Sequence, residues 1–362
     1  MIQNTYIGKG SIASLSDILK PYSGKKIFLV TGKSSYEKSG AKSLLEEYLK
    51  DTEYIRFSDF EENPKLEDVE KGIHLFKEAN CELTIAIGGG SAIDIAKLIN
   101  SLAYHSGSLQ EVVKGNRLEQ KPFPLIAIPT TAGTGSEATH FAVVYINGEK
   151  FSFAHNDLLP GYVIVDSQFT YSTPAYLAAC TGADALCQAI ESMWATGGNE
   201  ESREYAAKAI ELVWNNLKEA VVNNDHLAKD KVSEGAFWAG KAINISKTTA
   251  SHALSYKLTS RFGVPHGHAV ALTLAQVMEA NYEFAQENVK RILSLLQTKD
   301  LSDGVAKISK FWESLGLAMK LSELGIEEQH IAQLSNCNLE RLKNNPAVLS
   351  KEFIENLFRS II

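Results

Sequence analysis

Short apolar runs alternate with stretches of helical spacing through the first half of the chain. The runs Lys26–Val30, Glu53–Phe57, Leu83–Ile87 and Leu125–Ile128 are strand-sized and made largely of apolar, β-branched and aromatic residues. Between them, Glu37–Leu49, Leu66–Ala79 and Ala92–Leu102 repeat their apolar positions at helical intervals. That alternation predicts a parallel sheet with helices on both faces. The segment FAVVYINGEKFSF sets Asn147-Gly148 between two alternating runs, the favoured two-residue hairpin turn, and Tyr162–Asp166 reads as a last strand. Beyond Asp166 strand signal nearly vanishes. Helices are expected over Pro174–Ala195, Glu200–Val222, Leu227–Ile243, Ser251–Thr259 and His268–Tyr282, with Pro174 suited to a first helical turn. A boundary near Ser167–Ser172 divides an α/β half, 1–168, from an all-helical half, 169–362.

Composition narrows the function. With 362 residues and 44% hydrophobic positions the chain can build two separate cores. A net charge of -7 offers no basic field for a nucleic-acid backbone. The longest apolar stretches, such as Leu83–Ile87 and Val163–Val165, are far too short to span a bilayer. The N-terminus lacks a basic region followed by an apolar one, so no secretory signal is expected. Cys81, Cys180, Cys187 and Cys337 include no Cys-x-x-Cys pair and read as reduced thiols, which makes a cytoplasmic address the expectation.

Two loops carry candidate chemistry. Leu83–Ile87 runs into Gly88-Gly89-Gly90-Ser91 and then a helical stretch, so backbone N–H groups and a helix N-terminus can face a pyrophosphate without interfering Cβ atoms. A turn without a ligand is the plain alternative. Pro129-Thr130-Thr131-Ala132-Gly133-Thr134-Gly135-Ser136-Glu137 also follows a strand and is dense in hydroxyls. Two such loops at the ends of parallel strands mark a nucleotide crevice.

GGGSAIDIAK and TTAGTGSE resemble the two fingerprints of the iron-containing (group III) alcohol dehydrogenase family, and the segments DSQFT, TGADALCQAIES and HALSYKLTSRFGVPHGHA follow in that family's order. The resemblance implies an α/β dinucleotide-binding domain followed by an all-α metal- and substrate-binding domain, a fold shared with dehydroquinate synthase. It assigns cofactor contacts to Gly89, Gly90, Ser91, Asp94, Thr130, Thr131, Thr134 and Ser136, to Lys150 near the cofactor ribose, and to Asn63. Gly32 stands where NAD-preferring relatives often carry an Asp. With Lys33 and two serines beside it, this leans toward NADP(H), NAD(H) being tolerated.

Asp184 and Gln188 lie four apart and share a helix face, while His252 and His266 are fourteen apart across a Gly-Val-Pro turn. Taken singly, Asp184 reads as a helix cap, His252 as a core histidine and His266 as a loop residue before a helix. The family's pattern makes them ligands of one divalent metal, Fe2+ or Zn2+. Gln188 replaces a family His, either coordinating through its amide oxygen or bonding elsewhere. Tyr256 stands where many relatives have a proton-relaying His; an unperturbed phenol is a poor relay at neutral pH, leaving water, the ribose or His268.

The implied chemistry is hydride transfer between nicotinamide and a small aldehyde or alcohol, with the metal as Lewis acid. Lys247, Lys257 and Arg261 make the region around His252 basic, solvated surface charge being the plain alternative; the combined pattern resembles the phosphonoacetaldehyde reductase branch, which implies that these groups with Thr248 and Thr249 hold a phosphonate and that 2-hydroxyethylphosphonate is the product. A general short-chain alcohol dehydrogenase, a dehydroquinate-synthase-like lyase and a nucleotide-binding protein with a decayed metal site are the rivals. Family precedent makes a homodimer the expected assembly.

Overall fold

The computed structural model describes residues 3–337 and 339–362. The chain forms two compact units: one runs to Thr131 and resumes over Gly135–Thr173, and the other takes Ala132–Thr134 and Pro174–Ile362.

In the α/β unit the strands are β1 (Asn4–Ile7), β2 (Ile27–Thr31), β3 (Tyr54–Phe57), β4 (Leu83–Gly88), β5 (Leu125–Pro129), β6 (Phe141–Ile146), β7 (Glu149–Ala154) and β8 (Tyr162–Val165). The helices are α1 (Leu15–Leu19), α2 (Ser35–Lys38), α3 (Ala41–Leu49), α4 (Leu66–Glu78), α5 (Gly90–Leu102) and α6 (Leu109–Gly115). The described residues form a sheet of order β1-β8-β5-β4-β2-β3 with every neighbour parallel. Every residue of β2, β4 and β5 is buried, as expected where helices cover both faces. Phe28 and Val30 join the core with Phe76 of α4 and Ile99 of α5, while Ile27 and Leu29 join the opposite core with Leu15 of α1 and Leu45 of α3. The chain leaves β2 toward β3 and leaves β4 toward β5 in the opposite direction. The strand order therefore reverses at the C-terminal ends of β2 and β4, where a crevice opens for a ligand.

β6 and β7 pair antiparallel from Phe141↔Ala154 to Ile146↔Glu149, and Asn147 (φ 51°) and Gly148 (φ 78°) make the expected turn. Glu37–Leu49 is not one helix. It breaks into α2 and α3 at Gly40, whose φ of 77° is left-handed. β1 escapes sequence reading because NTYI is an exposed edge strand with no apolar run.

The helical unit comprises α7 (Ala175–Trp194), α8 (Glu200–Val222), α9 (His226–Ser246), α10 (Ala250–Phe262), α11 (His266–Asn281), α12 (Gln286–Leu295), α13 (Leu301–Ser314), α14 (Ile331–Ser335) and α15 (Lys351–Ser360). α7 is its axis: from Ala179 to Trp194 only Thr181 escapes full burial. Pro174 caps α7 rather than opening its first turn, and its carbonyl accepts from the Ala178 amide at 2.9 Å. Gly263 (φ 67°) ends α10 in the left-handed conformation, and Pro265 caps α11 two residues later. This tight return folds α11 back against α10. Among the described residues no helix is long and apolar enough to cross a membrane, and the four cysteines are free.

Candidate functional site

Asp184 lies in mid-helix on α7, which removes the cap reading, and His266 is the first residue of α11 rather than a loop residue. One ligand atom each from Asp184, His252 and His266 lies within 4.8 Å of the others. Asp184 Oδ1 stands 3.2 Å from His252 Nε2 and 3.9 Å from His266 Nε2. Asp184 and His252 are buried and His266 half-buried, so the cluster is open on one side. Gly267 permits the approach: a Cβ there would overlap the Cys180 carbonyl and stand 2.8 Å from Asp184 Cβ.

Glu191, which sequence reasoning passes over, organises the cluster from beneath. It is buried on α7, one turn beyond Gln188 on the same face. Its Oε1 accepts from the Thr249 hydroxyl at 2.9 Å and the Ser251 amide at 2.7 Å, closing the N-terminus of α10. Its Oε2 accepts a hydrogen bond from Nδ1 of His252, which turns Nε2 toward Asp184. Burial works against charge on His252, but Glu191 and Asp184 outweigh it and raise the imidazole to about 10, so a cation bound at Nε2 would have to displace that proton. His266 Nδ1 faces Ser255 Oγ at 3.4 Å, leaving its Nε2 on the Asp184 side.

Gln188 decides whether this donor set fits a cation. Its Nε2 donates to the Thr134 carbonyl at 3.3 Å, and its Oε1 is buried without a hydrogen-bond partner. A buried acceptor left unmatched is costly unless something else satisfies it. One carboxylate, two imidazole nitrogens and an orphaned amide oxygen make a coherent mixed N/O set for a divalent transition metal, so the residues fit one.

The α/β unit presents its loops at the sheet's reversal point. The Thr130 amide donates to the Gly88 carbonyl at 2.9 Å, and a Cβ on Gly89 would stand 3.3 Å from Thr131 Oγ1, so the triple-glycine and threonine-rich loops are packed together. A Cβ on Gly88 would lie 3.4 Å from the Gly32 amide. The Asn63 amide donates to Ser91 Oγ at 3.3 Å, which brings those two candidates together. Asp94 braces the threonine-rich loop against β6, accepting from Ser136 Oγ and, at 3.0 Å, from the Val143 amide. Burial raises its carboxyl against Lys97, Ser136 and Val143, with Lys150 of β7 a further cation pulling it down.

Residues 3–167 match the family described as iron-containing alcohol dehydrogenase, and residues 178–362 match the Fe-containing alcohol dehydrogenase family, C-terminal. The chain belongs to the iron-containing alcohol dehydrogenase family. It is 32% identical over 345 residues to long-chain-alcohol dehydrogenase 1 of Geobacillus thermodenitrificans (91% of this chain, 87% of that one). It is 30% identical over 370 residues to 1,3-propanediol dehydrogenase of Klebsiella pneumoniae (98% and 96%). A sulfoacetaldehyde reductase from Bifidobacterium kashiwanohense, solved with NAD+, superposes with a TM-score of 0.93 at 31% identity, covering 99% of this chain and 96% of that one. This enzyme is accordingly an oxidoreductase, an alcohol dehydrogenase by family.

Several other predicted residues of this dehydrogenase have partners of their own. Thr134 falls within the helical unit, where its carbonyl meets Gln188. Thr249 is buried, donating to Glu191 and accepting from Trp194 Nε1 at 2.9 Å. Lys257 donates to the carbonyls of Gln333 (2.6 Å) and Asn336 at the end of α14. Lys247 is exposed with a φ of 60°, Thr248 is half-buried and Arg261 is exposed in the last turn of α10. His268 lies two residues beyond His266, on the opposite side of α11, where Nε2 meets the Ala318 carbonyl at 2.6 Å and Nδ1 meets Tyr176 Oη at 3.1 Å. That engagement suits a structural histidine better than a proton relay. Tyr256, one turn beyond His252, has Arg341 stacked 4.4 Å over its ring, a cation that sequence spacing does not reveal.

Proposed function

We propose that this dehydrogenase interconverts a short aldehyde and its alcohol using a divalent cation held by Asp184, His252, His266 and Gln188 Oε1, with NADPH the preferred hydride donor. The observation that carries this reading is the convergence of Asp184, His252 and His266 within 4.8 Å, with Gln188, one turn along α7 from Asp184, keeping a buried amide oxygen without a hydrogen-bond partner. When bound, the cation supplies Lewis acidity to a carbonyl oxygen, and the reduced nicotinamide supplies the hydride. Asp184 supplies a first negative charge to the site. Glu191 fixes the His252 tautomer and contributes a second from behind. His266, the half-buried member, lies on the side open to substrate. The cofactor loops contribute Gly89, Gly90, Ser91, Thr130 and Thr131 to the pyrophosphate and nicotinamide.

For the substrate we favour an aldehyde with an anionic head, phosphonoacetaldehyde giving 2-hydroxyethylphosphonate. Support comes from the likeness to a sulfoacetaldehyde reductase and from the Arg341 guanidinium beside Tyr256. The engaged side chains of Lys257 and Thr249 favour a second reading, an uncharged short-chain substrate like that of the 1,3-propanediol dehydrogenase relative. NADPH oxidation should be followed with phosphonoacetaldehyde, sulfoacetaldehyde and butanal, alongside metal analysis. Turnover should fall on chelation and return with Fe2+, Zn2+ or Mn2+, and full turnover by verified metal-free protein overturns the mechanism. A higher kcat/KM for butanal rejects the anionic head while leaving the dehydrogenase reading intact.

A further inference from the structure

At the C-terminal end of β2 a guanidinium is fixed beside the residue that the nucleotide ribose would meet. Arg56 sits on the edge strand β3, in register with Leu29 of β2. Its Nε donates to Thr31 Oγ1 at 2.8 Å and its Nη2 to the Gly32 carbonyl at 3.2 Å. The Thr31 hydroxyl donates in turn to the Gly32 carbonyl at 2.9 Å. The guanidinium lies 4.8 Å over the ring of Tyr36, a side chain buried to 2% exposure. An exposed arginine ordinarily carries about 2 kcal/mol of rotamer entropy. Here a stack and two hydrogen bonds remove much of that freedom before any ligand arrives. Those bonds use two of the five N–H groups of the guanidinium and leave three for an anion.

The surroundings favour this cation over its neighbours. Position 32 bears no side chain, and a Cβ there would overlap Ser35 Oγ, so no carboxylate stands between Arg56 and the crevice. Lys33 Nζ lies 3.8 Å from Asp59 Oδ1 and Lys71 Nζ 3.9 Å from Asp59 Oδ2, so one carboxylate answers part of both charges. Glu37, the acid whose charge feels Arg56, is paired with Lys42 at 3.0 Å.

We propose that Arg56 reads the 2′-phosphate of the cofactor and is the residue that sets the preference for NADPH over NADH. The inference rests on the proposed use of a dinucleotide, with the adenosine ribose at Gly32, the position where NAD-preferring relatives often carry an Asp. A planar guanidinium matches a phosphate with two parallel N–H bonds, and one already oriented loses little entropy in making them. The ribose 2′-hydroxyl of NADH presents no charge to it.

Binding of adenosine fragments tests this without turnover or metal. Titration calorimetry with 2′,5′-ADP and ADP should give the phosphorylated fragment an advantage of about ten-fold, since a charge-assisted bidentate pair contributes at that scale. Arg56→Gln should reduce the advantage to less than about two-fold, by weakening 2′,5′-ADP and leaving ADP unchanged. Arg56→Lys, which keeps the charge without the fork, should retain part of it. Rising salt should shrink the wild-type advantage and leave the Arg56→Gln ratio flat. The inference is overturned if Arg56→Gln keeps the full advantage, or weakens both fragments alike, as loss of a scaffold would. Equal affinities in the wild type with firm ADP binding overturn it alone, and failure of both fragments to bind overturns the dinucleotide reading with it.

Discussion

Glu191 joins three groups through one carboxylate: it closes the N-terminus of α10, receives Thr249 and holds the His252 ring. Glu191→Gln replaces an acceptor pair with one acceptor and one donor, so at least one facing N–H or O–H loses its match. The expected result is a loss of about 1–3 kcal/mol in urea unfolding and a drop of about 10–100-fold in metal affinity by chelator competition. Lost stability with wild-type metal affinity would make Glu191 a scaffold alone. Gln188→His runs the other way. An imidazole nitrogen in place of the amide oxygen should tighten Zn2+ or Fe2+ by about ten-fold or more, and unchanged affinity would place Gln188 outside the coordination shell. Asp184, His252 and His266 are legible in the sequence because helical stacking and one turn prescribe their meeting. Glu191 and Arg56 are not. The first lies within the apolar run of a buried helix, and the second touches Gly32 only through pairing of strands distant in sequence.

Gly267 sets how closely the first turn of α11 lies on α7. The atoms a Cβ would meet are the Cys180 carbonyl and the backbone of Asp184, which cannot rotate away, so the helix itself must yield. Gly267→Ala should cost about 1–3 kcal/mol of stability and withdraw His266 from Asp184, and thermal melting paired with metal titration reads both. Metal affinity equal to wild type would show the shift absorbed elsewhere. The loop after β5 is secured by Lys97, whose ammonium donates to the carbonyls of Ser136, Thr139 and Phe141 at 2.6–2.9 Å. Burial lowers Lys97 to about 8 and raises nearby Glu137 to about 7. Folded Glu137 therefore holds its proton between about pH 4.5 and 7 where the unfolded side chain has released it, so its contribution declines as pH rises through that window. Folded Lys97 gives up its proton earlier than the unfolded chain, so its contribution grows only between about pH 8 and 10.5. The stability of wild type minus that of Glu137→Gln should fall by on the order of 3 kcal/mol from pH 4.5 to 7 and then level off. A difference independent of pH refutes the assignment. The break at Gly40 escapes a reading of the sequence because apolar spacing continues across it while only its backbone angle, φ 77°, departs from a helix.

The fold class is legible at the scale of the molecule because buried strands give way to long helical periods after Pro174. The membership of Ala132–Thr134 in the helical unit is not, since those residues sit inside one uninterrupted threonine-rich motif. Their placement follows from a side chain that is absent. Gly133 lies so close to Thr181 that a Cβ would stand 2.7 Å from that residue's own Cβ. Thr134 is thereby held where its carbonyl receives Gln188, and this segment joins the region that metal binding should order. All four proposed metal ligands belong to the helical unit, on α7, α10 and α11. Ligand bound only by the folded state adds about 2.7 kcal/mol of stability at a hundred-fold excess over Kd. Amides that exchange only on opening that unit should then slow by about a hundred-fold. Hydrogen exchange with and without Zn2+ should therefore show protection across α7, the first turns of α10 and α11, and residues 132–134, whereas 2′,5′-ADP should protect the loops around Gly32, Gly89 and Thr130. Metal-induced protection confined to exposed acidic surface, with α7 unchanged, would mean that the cation binds elsewhere.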